Sequence, residues 1–281
     1  MNLFDVLFWI ALAVAAYAFV GYPLLAIALA SRRAPPAAPG DGAAQPPLTV
    51  VVAARDEAAN IVARVHNLLA SHYPPQRLKV LVVDDGSRDG TAAAVEAIGD
   101  PRVRVLRMQQ PGGKAAALNA AMAKVDTPLT VFADARQRFL PNALAALVAP
   151  FADREVGAVA GELVLTEPDA QGDPAAANGA YWRLERALRD AEGRLGWAHA
   201  ASGAIYAIRT ALFVPLPRGL LLDDVYTPLQ VVRSGYAVQV ARDAVAHEPA
   251  GADLARRRHH RLGGRAHRKE PDCAVRRDDR G

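Results

Sequence analysis

Leu48–Ala54 reads LTVVVAA, and Arg55, Asp56 and Glu57 follow it without a break. A nearly continuous run of apolar and β-branched residues predicts a strand buried on both faces, because no alternation reserves one face for water. Beyond it, Ile61, Val65, Leu68 and Leu69 recur at helical spacing. Residues 79–83 (KVLVV) predict a second buried strand that runs into Asp84, Asp85, Gly86, Ser87, Arg88, Asp89, Gly90 and Thr91, and residues 92–98 then predict a helix. Residues 103–106 and Leu129–Ala133 supply a third and a fourth strand. Strand and helix alternate, so the expected class is α/β, with a mostly parallel central sheet and helices on both faces.

In such sheets ligands bind beyond the carboxyl ends of the strands. Residues 55–57, 84–87 and 134–136 each follow a buried strand directly, which turns three polar stretches into one expected site. A single acidic turn after a strand is commonly just a helix cap. Three at one sheet edge argue for a ligand.

Five stretches then stand in order: VVVAARDEAANI, VLVVDDGSRDGT, GGKAAALNAAM, VFADARQRF, and Asp223-Asp224 followed by Ser234-Gly235-Tyr236. Together they resemble the family 2 inverting glycosyltransferases of GT-A fold, and within them the membrane-anchored synthases of the cellulose, hyaluronan and poly-N-acetylglucosamine type. The resemblance covers about residues 48–248. It implies a nucleotide-diphospho-sugar donor, usually a UDP-sugar, a hexosyl or N-acetylhexosaminyl group transferred with inversion, and a sugar, lipid-linked or polysaccharide acceptor.

Carried over residue by residue, the resemblance implies that Asp85, with Asp84 beside it, binds the uracil or ribose, and that Ala54 and Glu57 line the nucleotide pocket. A carboxylate only accepts hydrogen bonds, which suits a base N–H or a ribose hydroxyl. Gly112, Gly113 and Lys114 combine a flexible turn with a point charge suited to a diphosphate, and Asn119 follows on the donor side. Asp134, Ala135 and Arg136 stand where the family carries its D-x-D metal motif. Mg²⁺ or Mn²⁺ needs oxygen ligands, and arginine cannot be one. Either Arg136 points away and Asp134 with the donor phosphates holds the metal, or Arg136 replaces the metal as a fixed cation.

Asp224 corresponds to the general base, twelve residues before Tyr236, with Asp223 on the acceptor side. Inversion by single displacement needs one carboxylate to take the acceptor proton while the diphosphate leaves from the opposite face. Gly161, in the predicted strand 156–165, resembles a position where small size admits the sugar, and Ser202 and Gly203 open the acceptor-proximal loop SGAIYAIR. Tyr181, Leu184, Leu188, Ala191 and Leu195 mark a helix that either packs on the sheet or lies against a membrane.

Outside this domain, residues 6–30 carry no charge, a length that crosses a hydrocarbon core of about 30 Å. Residues 1–33 are therefore expected to be a single-pass anchor, with Arg32 and Arg33 placing the catalytic domain in the cytoplasm. The alternative, a cleaved signal peptide ending at Ala28-Leu29-Ala30, fits less well because no Lys or Arg precedes the apolar run. Residues 34–47 read as a Pro/Ala/Gly linker, 48–250 as the catalytic domain, and 251–281 as a basic, disordered tail, the product of a truncation or frameshift. That tail holds ten Lys or Arg against five acidic residues, so the net charge of +4 leaves about −1 for all that precedes it. The pI near 9.4 is thus no argument for nucleic acid. The single cysteine, Cys273, excludes an intramolecular disulfide and a cysteine zinc cage. Two further readings are a catalytically inactive nucleotide-sugar-binding module, suggested by Arg136, and a fragment of a polysaccharide synthase.

Overall fold

The structure, a computed structural model, describes residues 2–33, 45–166, 180–198 and 201–249. Most of the expected linker and all of the expected tail lie outside the described residues, as do the side chains of Tyr181, Arg183 and Arg186.

The strands are β1 (Leu48–Ala54), β2 (Leu78–Asp84), β3 (Val103–Arg107), β4 (Leu129–Ala133), β5 (Arg138–Phe139), β6 (Val156–Thr166), β7 (Ile205–Arg209) and β8 (Ala237–Pro249). They form one sheet in the order β3-β2-β1-β4-β7-β6-β8-β5. The first four are parallel, and their registers (Ala54↔Asp84, Asp84↔Arg107, Val52↔Ala133) bring their carboxyl ends to one edge. β1 lies between β2 and β4, so the strand order reverses there and opens the crevice in which α/β sheets take ligands. β7 is antiparallel to β4 and β6, while β8 runs parallel to β6 and antiparallel to β5.

Both faces of β1 are covered. Leu48, Val50 and Val52 pack with Ile61, Val65 and Leu68 of α3 (Ala58–Leu69), Val95 of α4 (Thr91–Glu96) and Leu144 and Leu147 of α6 (Ala143–Val148). Val51 packs on the other face with Ala117, Leu118 and Ala121 of α5 (Lys114–Met122) and Val231 of α8 (Asp223–Arg233). Each fully buried side chain of the α3 stripe contributes about 1.5–3 kcal/mol relative to exposure.

At the amino end, α1 (Leu3–Ala16) and α2 (Tyr22–Ala30) join through a π-helical turn at Tyr17–Gly21. Asn2 and Asp5 cap the start reciprocally, each bond 2.9 Å. No residue of α1 is buried. α2 is different: Ala26 and Ala30 pack against Ala191 of α7 (Ala180–Leu195), flanked by Leu188 and Leu195, and the Tyr22 hydroxyl donates to Glu192 Oε1 at 2.7 Å. On its other side α7 meets β8, so closely that a Cβ on Gly193 would lie 2.9 Å from a Val240 methyl. The helix that the sequence allowed on either the sheet or a membrane is wedged between sheet and amino-terminal helix.

Candidate active site

The loops after β1 and β2 are laced together. Asp56, in the left-handed region at φ 53°, donates its N–H to Ser87 Oγ and accepts the Arg88 N–H, both at 2.9 Å. Glu57 is buried and takes Thr91 Oγ1 on its N–H at 2.9 Å. Asp84 accepts the Ser87 N–H at 3.1 Å and the Ser87 hydroxyl. Ala54 is buried, with its carbonyl taking the Asp85 N–H at 2.9 Å.

Asp85 reaches across to the glycine turn. Its two carboxylate oxygens accept the N–H groups of Gly112 at 2.6 Å and Gly113 at 2.9 Å. Gly113 has φ +80°, a conformation glycine takes without a Cβ penalty, and Lys114 starts α5 immediately after it. Asp85 therefore fixes the origin of Lys114, while Arg55, 4.0 Å from Asp85, leaves much of its side chain exposed at the mouth.

Lys114 is the hub. Its ammonium lies 3.2 Å from Asp134 Oδ1 and 3.1 Å from Asp223 Oδ1, joining the end of β4 to the start of α8. Burial alone would lower its pKa, but the two carboxylates outweigh that and hold it above the ordinary lysine value. Asp223 is 2% exposed and also accepts the Tyr206 hydroxyl at 3.3 Å. That phenol, buried beside Asp223, has its pKa pushed well above the usual value, so it stays protonated.

Asp224 is the more open of the pair. Its Oδ2 accepts the Gly203 N–H at 3.1 Å, and its carbonyl accepts the Ala201 N–H at 2.9 Å, which seats the 201–203 loop on α8. Burial raises the pKa of Asp224 and the Asp223 charge adds to it, against the opposing pull of the Gly203 N–H and Lys114. A Cβ on Gly203 would stand 3.1 Å from Asp224 Oδ2 and 3.5 Å from Lys114 Nζ. Ser202 forms a bridge with Ile205 in the same turn.

Asn119 and Gly161 make close contacts within the protein. Both amide atoms of Asn119 are committed to Leu216, donating to its carbonyl at 2.9 Å and accepting its N–H at 2.8 Å, so Asn119 pins the loop ahead of α8. Gly161 sits at the register shift between β6 and β8, where a Cβ would lie 2.5 Å from the Ala244 carbonyl oxygen. Its smallness is used by strand packing.

Arg136 turns to Glu57, with Nε 2.7 Å from Oε1, and Asn60 takes the other Glu57 oxygen at 2.8 Å. Its charge is neutralised within the protein. Among the described residues, no three His, Cys, Asp or Glu side chains converge as a metal cluster. Asp134 presents a carboxylate at the strand end, which suits a magnesium-like cation that draws its remaining ligands from substrate phosphates and water. A divalent ion beside Asp134 would take one protein carboxylate, which now pairs with Lys114, and the rest of its ligands from a diphosphate and water.

Arg64, Asn67 and Tyr206 did not emerge from the sequence as site residues. Arg64 had a visible signal: it lies one turn after Ile61 and next to Val65, a cation on an otherwise apolar helical stripe. Its Nε donates to the Asp134 carbonyl at 3.0 Å. Burial draws its pKa down to about 9, which leaves it charged at neutral pH.

Residues 49–212, more than half of the chain, match the family described as Glycosyl transferase family 2. Asp223 and Asp224 lie beyond that match. The succinoglycan biosynthesis protein ExoU of Rhizobium meliloti (strain 1021) is 34% identical over 108 residues, 38% of this chain and 31% of that protein. A beta-monoglucosyldiacylglycerol synthase of Synechocystis sp. (strain ATCC 27184 / PCC 6803 / Kazusa) is 31% identical over 176 residues, 58% of this chain and 36% of that protein. The matched stretches thus span about a third of these curated relatives. Among solved structures, the mannosyltransferase PcManGT from Pyrobaculum calidifontis, in complex with GDP-Man and Mn²⁺, is similar with a TM-score of 0.70 and 29% identity, over 88% of this chain and 70% of that one.

Proposed function

The chain belongs to glycosyl transferase family 2, and from that premise we propose that it transfers a sugar from a nucleotide-diphospho-sugar to an acceptor hydroxyl with inversion, Asp224 serving as general base. The observation that carries the proposal is the Asp134–Lys114–Asp223 bridge beside Asp224, at the edge where β1, β2 and β4 end. It sets a cation for a leaving diphosphate next to a carboxylate of raised pKa.

The acceptor oxygen forms its bond to the anomeric carbon as the bond from that carbon to the diphosphate oxygen breaks on the opposite face. The acceptor proton passes to Asp224, whose position the Gly203 N–H holds. Lys114 stabilises the negative charge that grows on the diphosphate. Asp134 would hold a divalent ion together with the donor phosphates. When bound, that ion supplies further neutralisation of the leaving group. The complex of the Pyrobaculum calidifontis neighbour with GDP-Man and Mn²⁺ supports a nucleotide-sugar donor and a metal of this kind. UDP-sugars are the donors implied by the motif resemblance, and GDP-sugars belong in the same test. The synthase relative's name adds a lipid to the acceptor classes to be tried.

The segment Leu3–Ala30 is apolar and long enough to cross a bilayer. We place it as an anchor, with Arg32 and Arg33 on the cytoplasmic side together with the catalytic domain. Cleavage after Ala30 would strip from α7 the Tyr22, Ala26 and Ala30 contacts, which favours an anchor over a signal peptide.

A second reading, nucleotide-sugar binding without transfer, draws on Arg136 where the family motif has its second acid. Release of nucleoside diphosphate from UDP-glucose, UDP-N-acetylglucosamine and GDP-mannose by detergent-solubilised full chain, with Mg²⁺, with Mn²⁺ and with chelator, separates the two. Turnover is expected with at least one donor. Nucleotide binding without turnover under every condition would leave only the second reading.

A further inference from the structure

The stretch from Asp134 to Phe139, which carries the departure from the metal motif, is tied at three points to α3 and to Glu57, the residue just ahead of it. Arg64 Nε holds the Asp134 carbonyl at 3.0 Å, and Arg136 meets Glu57 at 2.7 Å. Asn67 takes the Phe139 N–H at 2.8 Å and donates to the Phe139 carbonyl at 2.9 Å. Arg64 Nη1 also donates to Asn67 Oδ1 at 2.9 Å, so the first and last ties form one network.

Arg64 is the unusual member. It is 2% exposed, with its guanidinium carbon 4.1 Å from the centroid of the Phe139 ring. Its hydrogen bonds go to a carbonyl and an amide oxygen rather than to a carboxylate, and Nη2 is buried without a hydrogen-bond partner among the described residues. A buried cation is costly unless something compensates it, and an unsatisfied buried group calls for a reason. Both of the Arg64 acceptors are neutral oxygens, which a neutral donor could also satisfy, so holding the turn does not by itself account for a buried charge.

The charges at the site supply the reason. Asp134 and Asp223 face Lys114, so two carboxylates meet one ammonium before any donor arrives. Arg136 contributes nothing to that balance, being paired with Glu57. A diphosphate would bring still more negative charge. We propose that Arg64 is a positioning residue of the donor-phosphate site: it fixes the main chain of Asp134 and, as a buried charge behind it, offsets the carboxylates that face the diphosphate. The assignment rests on the proposed nucleotide-sugar reading.

The test measures the affinity of UDP and of uridine for the detergent-solubilised full chain carrying Arg64→Met or Arg64→Lys, with GDP and guanosine in parallel. Arg64→Met is expected to weaken diphosphate binding about tenfold and leave the nucleoside unchanged, because the lost charge acts on the phosphates. Arg64→Lys, which keeps the charge, is expected to restore most of the diphosphate affinity. Equal losses for nucleoside and diphosphate, or a lysine variant as weak as the methionine one, would overturn the assignment and leave Arg64 a purely structural residue. If thermal melts show Arg64→Met unfolded, Arg64→Lys decides alone: a near wild-type ratio of diphosphate to nucleoside affinity supports the assignment, and a tenfold drop in that ratio overturns it. Wild-type protein that binds neither nucleotide would instead remove the donor reading on which the assignment stands.

Discussion

The two halves of the catalytic domain are built differently. In the half proposed to take the donor, β1, β2, β3 and β4 are parallel, and the turns carrying Arg55, Asp85 and Asp134 begin within a residue or two of a strand end, while Gly112 follows β3 by five residues. In the acceptor half, the surroundings of Asp224 are assembled from distant pieces. Ala201 and Gly203 hold it from a loop about twenty residues earlier, Asn119 pins the preceding loop through Leu216, and β6 pairs with a β8 that lies some eighty residues later. The proposed donor site therefore rides mostly on strand-to-helix turns, whereas Asp224, the proposed base, depends on long-range packing. Lys114 is where the halves meet.

The largest expected effect breaks the acceptor half alone. Asp224→Asn should lower kcat by about 10²–10⁴, the usual weight of a general base, with nucleotide affinity unchanged in calorimetry. Activity retained at the wild-type level would remove Asp224 from the mechanism. In the proposed role the same residue is expected to set the acid limb of the rate profile. Because burial raises its pKa above 3.8, the base form is lost as pH falls through that raised value. In stability the sign is opposite: the folded state favours protonated Asp224, so its contribution is present below the ordinary aspartate value and lost as pH rises through the raised one. Asp224→Asn should flatten that part of a pH series of melting temperatures.

The next effect strikes both halves. Lys114→Met should cost about 10²–10³ in kcat, as loss of one preorganised charge on a leaving group does, and should weaken UDP or GDP more than the nucleoside. A variant impaired only in nucleoside binding would place Lys114 at the base rather than at the diphosphate.

The smallest effect tests the packing that separates the halves. Gly161→Ala forces a Cβ toward the Ala244 carbonyl and should destabilise the fold by about 1–3 kcal/mol in denaturant unfolding, with donor binding intact. A variant of wild-type stability that loses only acceptor saturation would return Gly161 to a sugar-admitting role.

The same contrast governs how far the residues could be read. The sequence placed β1 and β4 to the residue, because apolar β-branched runs bounded by polar turns leave little choice of end. It brought Asp84, Asp85, Lys114, Asp134 and Asp224 toward one region, and the structure joins Lys114 to Asp134 and Asp223. It missed the two-residue β5, whose pairing with β8 comes from a strand far along the chain. Asn119 and Gly161 were read from motif position, and their contacts with Leu216 and with the Ala244 carbonyl edge became visible only in the tertiary structure. Arg64 was passed over because a helical stripe is recognised by its apolar members, and a buried cation has meaning only once its acceptor, the Asp134 carbonyl, is in place.

By itself the sequence determined the alternation of strands and helices, the apolar amino-terminal segment, and the residues that follow the parallel strands, since each depends on neighbours within one or two turns. Only the tertiary structure decided that Asp85 grips the glycine turn, that Arg136 is spent on Glu57, that Lys114 bridges two carboxylates, and that α2 docks on α7. The physical reason is that a charged side chain can be satisfied by any of several partners of similar energy. Which one it meets is fixed by the packing of distant elements.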